Sequence, residues 1–141
     1  KARILCEEYL EPDYSTVPDD IKIFCFNGNV EFIYMMHHDI DENGKRLTTG
    51  IGNIYDVDWN YIPVKRGLRT DKNFDFKKPE NIKEIIHVAE TLSEDFPFVR
   101  VDLYNINNKI YFGELTFIPG AEPMTPMEYE YKFGQNLILP K

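Results

Sequence analysis

A chain of 141 residues, 43% of them hydrophobic and 14% aromatic, is long enough to bury a core and too apolar to be disordered. Its 24 acidic residues against 16 basic ones give a formal net charge of -8. That balance excludes nucleic acid as a general partner, because phosphate backbones are neutralised by clusters of Lys and Arg. Anionic phosphates remain possible ligands where a metal ion or a few local cations reverse the field. No signal peptide and no apolar run of about 18 residues is present, so a soluble, cytoplasmic chain without stable membrane insertion is expected. Cys6 and Cys25 sit in apolar strand patterns and read as buried, reduced thiols; the CxxC spacing of a zinc site is missing.

The first elements along the chain are strands. Ala2 to Tyr9, Ile21 to Asn27 and Val30 to His37 carry strand patterns, with Asn27-Gly28-Asn29 as a hairpin turn between the last two. Asp41 to Lys45 forms another turn, leading into a polar strand over Arg46 to Tyr55. Asn60 to Lys78, with Pro63, Gly67 and alternating charge, reads as a surface loop. Pro79 then precedes Ile82, Ile85, Ile86, Ala89 and Leu92, the spacing of an amphipathic helix that ends near Asp95, before Phe96-Pro97. Together these predict one α+β domain over residues 1–141, an antiparallel sheet with packed helices.

The chemistry concentrates in Phe98 to Tyr104 and the return strand Ile110 to Pro119-Gly120. Alternation places Arg100, Asp102 and Tyr104 on one face of the first strand, and Phe112, Glu114 and Thr116 on one face of the second. Whether the two faces coincide depends on the turn. A two-residue turn at Asn107-Asn108 pairs Ile106 with Lys109 and sets Asp102 opposite Gly113. A three-residue loop pairs Ile106 with Ile110 and sets Asp102 opposite Glu114 and Arg100 opposite Thr116. Facing carboxylates destabilise a hairpin unless something neutralises them, and a hard divalent cation such as Mg2+ would do so. The plain alternative is an ordinary amphipathic hairpin with both acids in solvent.

An Asp, then an aromatic-rich return strand carrying Glu-x-Thr, then Pro-Gly resembles the metal-binding end of the ATP-grasp superfamily. The resemblance implies Asp102, Glu114 and Thr116 as Mg2+ ligands on the ATP phosphates, Thr116 standing where most relatives have Asn. It implies Arg100 as the catalytic cation that stabilises an acyl-phosphate or the tetrahedral species formed from it. Ile4 to Leu10 resembles the hinge strand whose backbone grips adenine, which makes Glu7, Glu8 and Leu10 nucleotide-binding positions. Asp20-Ile21-Lys22-Ile23-Phe24 resembles the acidic-apolar-basic strand that follows, with Glu8 or Asp20 at the ribose hydroxyls and Lys22 at the phosphates or the second substrate.

The subgroup it most resembles is the TupA-like ATP-grasp family of polysaccharide and teichuronopeptide biosynthesis. The matching segments run in order through Asp20 to Gly28, Tyr55 to Asn60, Phe98 to Asp102, Phe112 to Phe117, and Gly134 with Leu137 to Pro140. Relatives also clamp the triphosphate with a glycine-rich loop and lysines N-terminal to the hinge strand. None is found in these 141 residues, so the chain is expected to be the C-terminal portion of a longer domain. The implied function is ATP- and Mg2+-dependent carboxylate-amine ligation, with a nucleotide and a carboxylate, amine or sugar substrate as partners.

The alternatives are a non-catalytic nucleotide- or polysaccharide-binding module and a glycosyltransferase; Asp56-Val57-Asp58 resembles a DxD motif only superficially. His37-His38-Asp39 is an unsuitable metal cluster, since neighbouring side chains on a strand point to opposite faces. His87 reads as a structural histidine of the helix.

Overall fold

A computed structural model describes residues 3–4, 6, 9–10, 17–120 and 122–139. β1 (Asp20–Phe26) is an inner strand of a six-stranded antiparallel sheet, paired on one side with β2 (Asn29–Ile40) and on the other with β6 (Phe98–Ile106). Beyond β2 lie β3 (Arg46–Tyr55) and β4 (Tyr61–Ile62), and beyond β6 lies β7 (Lys109–Thr116), giving the order β4-β3-β2-β1-β6-β7. A second, two-stranded sheet pairs β5 (Lys65–Arg66) with β8 (Met124–Thr125). The helices are α1 (Ile82–Ser93) and α2 (Glu128–Gly134). The α+β architecture expected from the sequence is the one observed.

Alternation divides β1 between two cores. Ile21, Ile23 and Cys25 join Val99, Val101 and Leu103 of β6 in packing against Ile82, Ile85 and Ala89 of α1. Phe24 points the other way and stacks on Phe32 at 4.3 Å, and Phe32 meets Phe133 of α2 at 4.6 Å. Aromatic residues therefore fill one half of this second face, beneath β5, β8 and α2. The other half carries Asp20 and Lys22, and it is there that the polar site forms.

Both tight hairpins turn on two residues of positive φ. Asn27 and Gly28 (52° and 78°) join β1 to β2, and Asn107 and Asn108 (53° and 60°) join β6 to β7. Positive φ at both central positions matches the right-handed twist of the flanking strands, and Asn and Gly adopt it at little cost.

Three expectations change and one goes untested. Half of the strand expected over Ala2 to Tyr9 lies outside the described residues. The segment Asn60 to Lys78 is more than a surface loop: it supplies β4, β5 and two buried core residues, Val64 and Phe76. β5 finds its partner about 60 positions away in β8, and no local spacing announces so distant a pairing of two-residue strands. α2 went unread because seven residues with one buried apolar side chain, Phe133, give no periodic stripe. Finally, Cys6 is exposed, and Cys25 alone is buried.

Burial pushes the Cys25 thiol up to about 11. Its thiolate is therefore scarce at pH 8, and its sulfur lies inside the sheet–helix core. Ellman's reagent at that pH is expected to titrate Cys6 in the native protein and to reach Cys25 only after denaturation.

Candidate functional site

The hairpin β6–β7 reconciles the two registers the sequence allows. The turn is the two-residue one, with Ile106 opposite Lys109, yet Asp102 faces Glu114 and Arg100 faces Thr116. The difference is taken up by a β-bulge: Leu103 pairs with Phe112 and Asp102 with Glu114, leaving Gly113 as the extra residue. A Cβ at Gly113 would stand 2.9 Å from the backbone oxygen of Asp102, so the strands approach too closely there for any side chain. The bulge also corrects one expectation, because Phe112 shares the face of Leu103 and not that of Glu114 and Thr116.

Arg100, Asp102, Glu114 and Thr116 thus meet on one face, and Lys22 joins them from β1 as the direct register partner of Asp102. Asp102 is 6% exposed, and a carboxylate so buried must be paired. Lys22 Nζ lies 2.7 Å from its Oδ2, while Arg100 forks onto it, Nε to Oδ1 at 2.6 Å and Nη2 to Oδ2 at 2.7 Å. Nη2 also donates to Thr116 Oγ1 at 2.9 Å and Glu114 Oε1 at 3.1 Å, and the Thr116 hydroxyl donates to Glu114 Oε1 at 2.8 Å. Burial works against the Arg100 cation, but the hydrogen bonds and charge of Asp102, with the charges of Glu114 and Asp20, outweigh it and raise its pKa above the ordinary arginine value. The guanidinium stays charged at any physiological pH.

Asp20, 5% exposed, continues the network. Its Oδ2 lies 3.9 Å from Lys22 Nζ and 3.4 Å from Nε2 of His38, which comes from the same face of β2. His37 points to the other face, bonds Asp19 at 2.8 Å and packs on Phe74, so the two histidines do diverge. His38 is the site neighbour that sequence reasoning missed; its even spacing from Tyr34 and Met36 on a paired strand was the available signal.

Of the nucleotide-binding positions expected near the start of the chain, Glu7 and Glu8 lie outside the described residues and Leu10 is partly buried. A cleft of about 580 Å³ opens at Pro119, three residues past Thr116, and is walled by Arg66, Gly120, Glu122 and Tyr131; its lining does not include the Arg100 cluster. Arg66 holds this loop down, donating to the carbonyl oxygens of Glu122 (2.7 Å) and Gly120 (3.2 Å) while its guanidinium lies 5.1 Å from the Phe24 ring centre.

A family model described as TupA-like ATPgrasp matches residues 1–138. The chain belongs to the TupA-like ATP-grasp family. No curated protein and no solved structure matches it. ATP-grasp proteins generally use ATP and Mg2+. Among the described residues, no group of three or more His, Cys, Asp or Glu side chains is placed to hold a metal ion, so a cation here would depend on two carboxylates and a hydroxyl. That all-oxygen set suits a hard cation of the Mg2+ kind, and its three side chains already converge on one positively charged nitrogen. No described helix is long and apolar enough to cross a membrane.

Two substitutions test this geometry. Gly113→Val forces a side chain against the Asp102 backbone and is expected to cost about 1–3 kcal/mol in chemical denaturation. Asp102→Ala strips Lys22 and Arg100 of their buried partner and is expected to cost about 3 kcal/mol, whereas Glu114→Ala, at a side chain 64% exposed, should stay within about 0.5 kcal/mol.

Proposed function

We propose that this chain supplies the metal-holding and acyl-phosphate-stabilising part of an ATP- and Mg2+-dependent carboxylate-amine ligase of cell-surface polysaccharide biosynthesis, working in the cytoplasm. The observation that carries the reading is the convergence of Asp102 Oδ2, Thr116 Oγ1 and Glu114 Oε1 on Arg100 Nη2, at 2.7, 2.9 and 3.1 Å.

In this reading a substrate carboxylate attacks the γ-phosphorus of ATP, ADP departs, and an amine displaces phosphate from the acyl-phosphate. Asp102, Glu114 and Thr116 would hold Mg2+, which when bound neutralises charge on the transferring phosphoryl group. Arg100 presents a planar fork matched to phosphate or to a developing oxyanion, and a fixed donor of this kind lowers the barrier because it needs no reorganisation. Lys22 adds a second cation on the same face, with Asp20 behind it at 3.9 Å. The cleft beyond Pro119 has the volume of a small-molecule site and is the place proposed for the carboxylate, amine or sugar substrate.

Calorimetric titration of a non-hydrolysable ATP analogue should show binding that requires Mg2+. Glu114→Gln should weaken it by about tenfold or more, since even outer partners of a metal are worth that much. Nucleotide binding indifferent to both Mg2+ and Glu114→Gln would contradict the reading. Saccharide binding without either dependence would favour a polysaccharide-recognition module instead.

A further inference from the structure

The three oxygens assigned to the metal are already occupied by a cation of the protein's own. We propose that Arg100 and a divalent cation are alternative occupants of one oxygen cage, so that metal can enter only as the guanidinium leaves; this rests on the metal-site reading above.

Nη2 of Arg100 touches one oxygen from each of Asp102, Thr116 and Glu114, while Nε binds the remaining Asp102 oxygen at 2.6 Å. The side chain is 14% exposed, so this is a seated group and not a surface contact. An ion drawing Asp102, Thr116 and Glu114 to the about 2.0–2.1 Å typical of Mg2+ would take the point between them where Nη2 now stands.

The surroundings are built so that Arg100 can go without stranding a charge. Asp102 Oδ2 keeps Lys22 at 2.7 Å, its Oδ1 loses Nε and opens to the metal, and Glu114, 64% exposed, is solvated. What the guanidinium needs is another bidentate oxyanion, and a phosphate group offers one. The consequence is a coupling: a phosphate that draws Arg100 away raises the affinity of the cage for metal, and metal in the cage raises the affinity for that phosphate by the same factor. Metal alone must first expel an internal competitor and therefore binds weakly.

The test is Mn2+ binding to the whole chain without nucleotide, followed by electron paramagnetic resonance, for the native protein and for Arg100→Gln. The variant is expected to bind Mn2+ about tenfold more tightly, within the usual range of coupling between sites. Equal or weaker binding by a variant whose circular dichroism matches the native protein would overturn the proposal while leaving the metal site standing. If neither protein takes up Mn2+, even with a non-hydrolysable ATP analogue present, the metal-site reading falls and the proposal falls with it.

A second measurement needs no variant. In the native protein the Nε–H resonance of Arg100 should lose its Asp102 hydrogen bond when Mg2+ and the analogue are added together. Persistence of that resonance unchanged at saturating metal would equally overturn the proposal.

Discussion

The site depends on one buried carboxylate. Asp102 is almost fully removed from water in the middle of a strand, where an unpaired charge would cost several kcal/mol, and it is kept there by Lys22 from one neighbouring strand and Arg100 from its own. Two arms of polar contacts extend from this pairing. Lys22 links it to Asp20 and His38, and Arg100 links it to Glu114 and Thr116. A network of this kind fixes strand register as firmly as apolar packing does, because a one-residue slip of β6 would send Asp102 into the α1 core and Val101 into the site.

The second face of the sheet is shared between two kinds of surface. Where α2, β5 and β8 cover it, the strands present Phe24, Phe32 and Phe98; where that cover stops, they present Asp20, Lys22, Arg100 and Asp102. Phe24 and Arg100 are register partners, so the boundary between dry core and charged site falls across a single pair of residues. Arg66 marks the same boundary from above, its guanidinium over the Phe24 ring and its donors on the loop that leaves β7. Functional side chains placed on paired strands in this way are held more rigidly than they would be on loops.

Much of this was legible in the sequence. Strong alternation and Asn-Gly or Asn-Asn turns gave β1, β2, β3, β6 and β7 to within a few residues, and the Ile82, Ile85, Ala89 spacing gave α1. The candidate acids and Arg100 were legible as charged residues in otherwise apolar, aromatic strands. The register of Asp102 against Glu114 was not, because two turn lengths were compatible with the residues, and the structure uses the short turn together with a bulge that restores the pairing of the long one. Gly113 was its visible trace: a residue without a side chain at the point of closest backbone approach. β5, β8 and α2 escaped because elements of two to seven residues, held by distant partners, carry no periodicity to read.

The metal site and the proposed exchange meet at one point, where an internal guanidinium yields its place among Asp102, Glu114 and Thr116 to an external cation. Crystals grown with Mn2+ and a non-hydrolysable ATP analogue, examined by anomalous scattering, address it most directly. The account predicts a manganese peak bounded by Asp102, Glu114 and Thr116, with Arg100 turned onto a phosphate. A manganese peak elsewhere, or Arg100 still forked on Asp102 beside bound nucleotide, would contradict it.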